Sequence, residues 1–171
     1  DALGELGFGF LEVGTVTPLA QSGNLKPRVF RNYNENSLVN RLGFNNKGVD
    51  YLVKNLKTRK YQGVLGVNIG ANKNSVGDER IKDYLICLEK VYKYANYITI
   101  NISSPNTPNL RDLQNNENLS ILINAIDKNI KELDIHIPIF LKISPDETDV
   151  TISNIISHVD NSSFSGIIAT N

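Results

Sequence analysis

The chain has 171 residues, 40% of them hydrophobic and 21% charged, with 18 basic side chains against 18 acidic ones. That is enough apolar material for one core, and the balanced charge argues against a nucleic-acid or polyanion binder, which carries a basic excess. No apolar run approaches the roughly 18 residues that span a bilayer, nor do the opening residues have the pattern of a signal peptide. The single cysteine, Cys87, has no internal disulfide partner, which points to a reducing compartment.

In chain order, Asp1 to Gly7 read as a helix already under way. Residues 8–17 read as a strand ending in Gly14-Thr15-Val16-Thr17-Pro18. Residues 19–39 carry Gly23-Asn24, Pro27 and the basic pair Arg28 and Arg31, and are expected to be irregular. The stretch from Asn40 to Asn46 is too rich in Asn and Gly to be an element. A helix is expected over 47–59, where Val49, Leu52, Val53 and Leu56 recur at helical spacing. Residues 63–70 form a short buried strand. After a polar loop, residues 80–95 form a helix striped by Ile81, Tyr84, Leu85, Leu88, Tyr92 and Ala95. Cys87 falls inside it and reads as a small buried hydrophobe.

In the third strand, β-branched Ile98, Ile100 and Ile102 alternate with Thr99, Asn101 and Ser103 until Pro105 and Pro108 stop it. A helix over 116–133 presents Leu119, Leu122, Ile123, Ile126 and Ile130 on one face. A strand over 137–144 leads through Pro145-Asp146 to a helix over 147–159, and residues 167–171 form the last strand. The opening without Met and the close on Asn171, with nothing after the apolar run, set the expectation of an internal piece of a longer protein.

Five strands alternating with four helices predict an α/β fold with a parallel sheet and right-handed crossovers. An open doubly wound sheet and part of a (β/α)8 barrel both fit. No strand is followed by G-x-G-x-x-G and there is no P-loop, so the barrel is favoured, with residues 1–171 one domain cut at both ends.

Three consecutive strands carry a polar residue near the end of an apolar run, namely Asn68, Asn101 and Lys142, with Thr15 and Thr170-Asn171 similarly placed on the outer two. Parity sets Asn68 with Gly66, Asn101 with Thr99 and Lys142 with Phe140, opposite the long aliphatics. The polar face would then line the barrel interior at the rim where barrel enzymes place their sites. One such amide alone reads as a polar strand end running into an Asn/Ser/Pro turn. Lys142 reads either as the partner of Glu12 or as a cationic partner for an anionic ligand. His136 and His158 lie away from the rim, and no metal-ligand spacing occurs.

Several segments in matching order resemble the class 2, quinone-dependent dihydroorotate dehydrogenases. They are Gly14 to Pro18, Pro27 to Arg31, Asn40 to Asn46, Asn101 to Pro108, Leu141-Lys142 and Ile168 to Asn171. The resemblance covers essentially the whole chain. Ser104 stands where class 1 relatives have Cys, and Leu19-Ala20 departs from the family's more usual basic residue and Pro.

The resemblance implies a (β/α)8 barrel that oxidises dihydroorotate to orotate in pyrimidine synthesis. It implies FMN contacts from Thr15, Asn68, Asn101, Lys142 and Thr170. It further implies substrate contacts from Asn40, Arg41, Leu42, Gly43 and Phe44 with Asn101, Asn106 and Asn171, Ser104 as catalytic base, and Arg31 beside a quinone tunnel. An N-terminal membrane-resting region, outside these residues, would place the enzyme peripherally on the cytoplasmic side of a bacterial inner membrane, or on the mitochondrial inner membrane. Rival readings are a class 1 enzyme, a dihydrouridine synthase type of flavin barrel, or an inactive structural fragment.

Overall fold

Alternation of apolar residues builds the sheet. In β4 (Val64–Ile69) Leu65, Val67 and Ile69 point one way, as do Ile98 and Ile100 in β5 (Tyr97–Asn101), and all five are buried. The computed structural model describes residues 1–107 and 110–170. Pro108 and Asn171, the latter expected to end the last strand, lie outside them.

Strands β1 (Phe10–Val16), β4, β5, β6 (Ile139–Lys142) and β7 (Gly166–Ile168) form one five-stranded sheet in that order, every neighbouring pair parallel. Helices α1 (Val49–Lys57), α2 (Gly77–Val91), α3 (Asn116–Glu132) and α4 (Asp149–Asp160) pack along the aliphatic face, each against the next. Sequential strand order with all helices on one side is an arc of a (β/α) barrel; a doubly wound sheet would reverse its order and cover both faces.

The helices follow from capping and periodicity. Asn115 caps α3 by accepting the Asn118 amide at 3.0 Å, and Thr148 caps α4 by accepting that of Thr151 at 3.2 Å. Tyr84, Cys87, Leu88 and Val91 of α2 meet Leu119, Leu122 and Ile126 of α3 in a single core with the outward strand residues. Truncating one of these, such as Leu122 or Ile100, removes about 2–5 kcal/mol.

The expected elements are present with shifted ends. α2 begins three residues early at Gly77, and β7 stops at Ile168. Two expectations are corrected. The first seven residues hold a 3-10 turn (Ala2–Leu6) with no buried side chain. Residues 19–39 are not irregular throughout, because β2 (Val29–Asn32) and β3 (Ser37–Asn40) pair as an antiparallel hairpin, with Val29 opposite Asn40 and Asn32 opposite Ser37. Asn40 is therefore the last residue of a strand. Both hairpin faces are exposed, so no alternation of polar and apolar residues marks it.

The concave face of the sheet is graded. At the N-terminal end, Phe10, Tyr97 and Phe140 meet edge to face, with ring centroids 6.3 and 5.8 Å apart. Gly66 leaves room for this layer, since a Cβ there would run into the Tyr97 ring. Toward the C-terminal end the same strands continue with Glu12, Asn68, Thr99, Asn101 and Lys142.

Candidate active site

Strand pairing alone sets most of the site. Thr99 lies beside Asn68 and Asn101 beside Lys142, so three strand ends deliver an amide, an amide and an ammonium to one rim. Thr15 reaches that rim by an irregularity. Pairing between β1 and β4 shifts between Val13 and Val16, and Gly14 has φ 128 with no room for a Cβ against the Asn68 carbonyl. The shift turns the Thr15 hydroxyl inward, where it donates to Asn68 Oδ1 at 2.6 Å.

The amides are buried and hydrogen-bonded to one another and to their neighbours. Asn68 is 5% exposed and Asn101 3%. Asn68 Nδ2 donates to Glu12 Oε1 at 2.9 Å. Asn101 Nδ2 donates to Thr15 Oγ1 at 2.9 Å and to Asn68 Oδ1 at 3.2 Å. Asn101 Oδ1 accepts from the Ser103 amide at 3.1 Å and the Ser103 hydroxyl at 2.9 Å. From the helical layer, the Tyr84 hydroxyl donates to the Asn101 carbonyl at 2.8 Å, fixing the strand end. The second carboxylate oxygen of Glu12 accepts from Thr99 Oγ1 at 2.7 Å.

Charge in the site is shared. Lys142 is half-buried, less deeply placed than its strand position suggests. Burial pushes its ammonium below the ordinary lysine range, and the Glu12 charge opposes that shift. Burial, followed by the Glu12 charge, pushes the Tyr97 hydroxyl up to about 12.

A cavity of about 400 Å3 opens above this layer, lined among others by Glu12, Thr15, Asn68, Asn101, Ser104 and Lys142. Asn40, Leu42, Gly43, Phe44 and Asn106 close its other side. That loop is built by its neighbours. Asn46 accepts the Gly48 amide at 2.8 Å through Oδ1 and donates through Nδ2 to the Phe44 carbonyl at 2.8 Å and to Thr17 Oγ1 at 2.8 Å. Asn24 donates to the Arg41 carbonyl at 3.0 Å and the Asn106 carbonyl at 3.3 Å. Ser104 is 6% exposed, and its Oγ accepts the Asn106 amide at 3.2 Å, so the same hydroxyl caps the turn and faces the cavity.

The expected site residues thus divide. Thr15, Asn68, Asn101, Lys142, Ser104, Asn106 and the Asn40, Leu42, Gly43 and Phe44 positions come together. Arg41 turns away, donating through Nε and Nη2 to the Pro27 carbonyl at 3.1 and 3.0 Å over the Phe30 ring. Thr170 is exposed and lines no part of this cavity, and Asn171 lies outside the described residues. Arg31 is exposed on β2. His136 pairs with Asp134 at 3.2 Å and His158 contacts Asn116 at 2.7 Å, both away from the rim. Sequence reasoning missed the structural roles of Asn24 and Asn46, whose only signal is a turn-rich composition. It named Glu12 solely as a partner of Lys142.

The donor set fits a flavin. Amides and hydroxyls that both donate and accept, with one cation, complement the alternating C=O and N–H edge of its pyrimidine ring. Gly70 adds clearance, since a Cβ there would meet Thr15 Cγ2 at 2.7 Å.

Comparison with known proteins agrees with this architecture. The family model described as dihydroorotate dehydrogenase matches residues 1–171. "Dihydroorotate dehydrogenase (quinone)" of Saccharophagus degradans is 51% identical over the whole chain, and that of Aliivibrio salmonicida 52%; in both, the chain spans 52% of the relative's length. Among solved structures, DHODH of Eimeria tenella in complex with ferulenol superposes with a TM-score of 0.90 at 35% identity, covering 97% of this chain and 50% of that one. Its ligand-free form gives 0.89 at 36% identity. With strand order and rim chemistry in agreement with a family match across residues 1–171, the chain belongs to the dihydroorotate dehydrogenase family.

Proposed function

We propose that these residues carry the substrate-facing half of an enzyme that oxidises dihydroorotate to orotate in pyrimidine synthesis and passes the electrons to a quinone. The observation that carries the reading is the convergence of Asn68, Asn101, Lys142 and Ser104 with the Asn40–Phe44 loop on one cavity. Family membership and the names of the bacterial relatives support it.

The reaction removes a proton from C5 and a hydride from C6. FMN, when bound, supplies the hydride acceptor. Thr15, Asn68 and Asn101 would bind its polar edge, with Thr170 at the neighbouring strand end. Lys142 would place a fixed positive charge where negative charge develops. Leu42, Gly43 and Phe44, with Asn40, Asn101, Asn106 and Asn171, would orient dihydroorotate, and Arg41 would act only by holding its loop.

Ser104 Oγ would take the C5 proton. Serine is a weak base, so the proton needs an outlet by way of water or a neighbouring hydroxyl. Of the two hydroxyls nearest in sequence, Ser103 Oγ is engaged with Asn101. Thr107 Oγ1 is buried and has no hydrogen-bond partner among the described residues, which favours Thr107.

Arg31, on the exposed hairpin with Phe30, Leu38 and Val39, would meet the quinone. A lipid-soluble acceptor places the enzyme at a membrane, here the cytoplasmic face of a bacterial inner membrane. No helix among the described residues is long and apolar enough to cross one.

Rapid anaerobic mixing of the whole, flavin-loaded enzyme with dihydroorotate tests the reading. Ser104→Ala should slow flavin bleaching by about 10²–10⁴, the usual worth of a general base, with substrate affinity altered much less. Ser104→Cys should retain part of the rate. Bleaching of Ser104→Ala at the wild-type rate would end the assignment.

A further inference from the structure

The hydrogen bonds under the cavity have a fixed direction from one end to the other. The Ser103 backbone N–H can only donate, so the atom of Asn101 facing it at 3.1 Å is Oδ1. Asn101 Nδ2 is thereby turned toward Thr15 and Asn68, which requires Asn68 to present Oδ1 to it at 3.2 Å. Asn68 Nδ2 is left pointing the other way, into the sheet's inner face. There it needs an acceptor, and Glu12 Oε1 occupies that place at 2.9 Å. Glu12 is held in turn by the Thr99 hydroxyl at 2.7 Å on its other oxygen, and Thr99 is fully buried.

The geometry points to Glu12 as a positioning residue: it terminates the Ser103–Asn101–Asn68 relay and so holds the amide array that a planar ligand meets at the rim. This rests on the reading of the cavity as a flavin and orotate site. Without an acceptor at position 12, Asn68 Nδ2, on a side chain only 5% exposed, loses its partner. Asn68 then gains freedom to rotate, and Asn101 and Thr15 lose the oxygen that both donate to. Charge and hydrogen bonding can be separated at this position. Gln at 12 keeps an acceptor oxygen for Asn68, while its Nε2 can donate to a Thr99 hydroxyl that now accepts. Leu at 12 keeps neither.

The test is orotate binding to the oxidised, flavin-loaded enzyme, read as the ligand-induced change in flavin absorbance, together with kcat and KM for dihydroorotate. Glu12→Leu should weaken orotate about tenfold, the effect of one unmade buried hydrogen bond. Its cost should fall on KM more than on kcat. Glu12→Gln should bind within about twofold of wild type, a rescue that a charge-only role does not allow. Where Glu12→Leu fails to fold, Thr99→Val removes one anchor of the carboxylate and should weaken orotate severalfold. Wild-type affinity in Glu12→Leu or in Thr99→Val, or equal losses in the Leu and Gln variants, would overturn the inference. A wild-type enzyme that binds flavin but no orotate would remove the reading of the site, and the inference with it.

Discussion

Lys142 shows how much a single position can and cannot reveal. Its place at the end of an apolar strand was legible as unusual, because a lysine flanked by Leu141 and Ile143 has no solvent face on an interior strand. Glu12 was legible as its candidate partner, an inward carboxylate of the first strand. The half-burial of Lys142 was not, since it depends on how the strands meet across the sheet. In the whole enzyme, Lys142→Ala should lower the flavin midpoint potential by roughly 30 mV or more, which for a two-electron couple is about 1.4 kcal/mol. Potentiometric titration checks this, and an unchanged value would leave Lys142 as a partner of Glu12 only. Thr15 marks the opposite limit. Simple alternation groups it with Val13 on the helix-facing side, and the register shift beside Gly14 is what brings it inward. Periodicity does not see a bulge.

At the level of elements, the four helices and five parallel strands were legible because each has one face that must be buried. The hairpin was not, for the same physical reason. Its strands are exposed on both sides, with Leu38 56% and Val39 60% accessible. A local signal did exist: two short β-prone runs, Val29-Phe30 and Leu38-Val39, flank a polar turn in which Asn36 takes a left-handed conformation at φ 47. An element that buries nothing in this chain is free to serve a ligand. Arg31→Ala should therefore slow flavin reoxidation by quinone about tenfold, the worth of one charge-assisted hydrogen bond, while reduction by dihydroorotate stays near normal. Stopped-flow measurement of the two half-reactions separates them, and an equal fall in both would make Arg31 structural.

Across the molecule, the described sheet has two outer edges, on β1 and β7, and an inner face on which Phe10 is 62% exposed. Unpaired edges and bare aromatic surface favour association between chains. The 171-residue chain by itself should self-associate at micromolar concentration and bind FMN poorly; sedimentation velocity with a flavin absorbance scan checks both, and a yellow monomer would refute them. The barrel class was readable from strand–helix alternation together with the lack of a dinucleotide or phosphate-binding glycine motif after any strand, whereas the packing of its floor was not, since Gly66 and Tyr97 are 31 positions apart. The missing side chain at Gly66 is filled by a ring from the adjacent strand, so neither position can drift without the other. A larger residue at 66 becomes tolerable only after the ring at 97 has shrunk, and a smaller one at 97 leaves a void that growth at 66 can fill. Over evolutionary time such a pair should change in a preferred order, and a correlation between positions 66 and 97 among relatives is the expected trace.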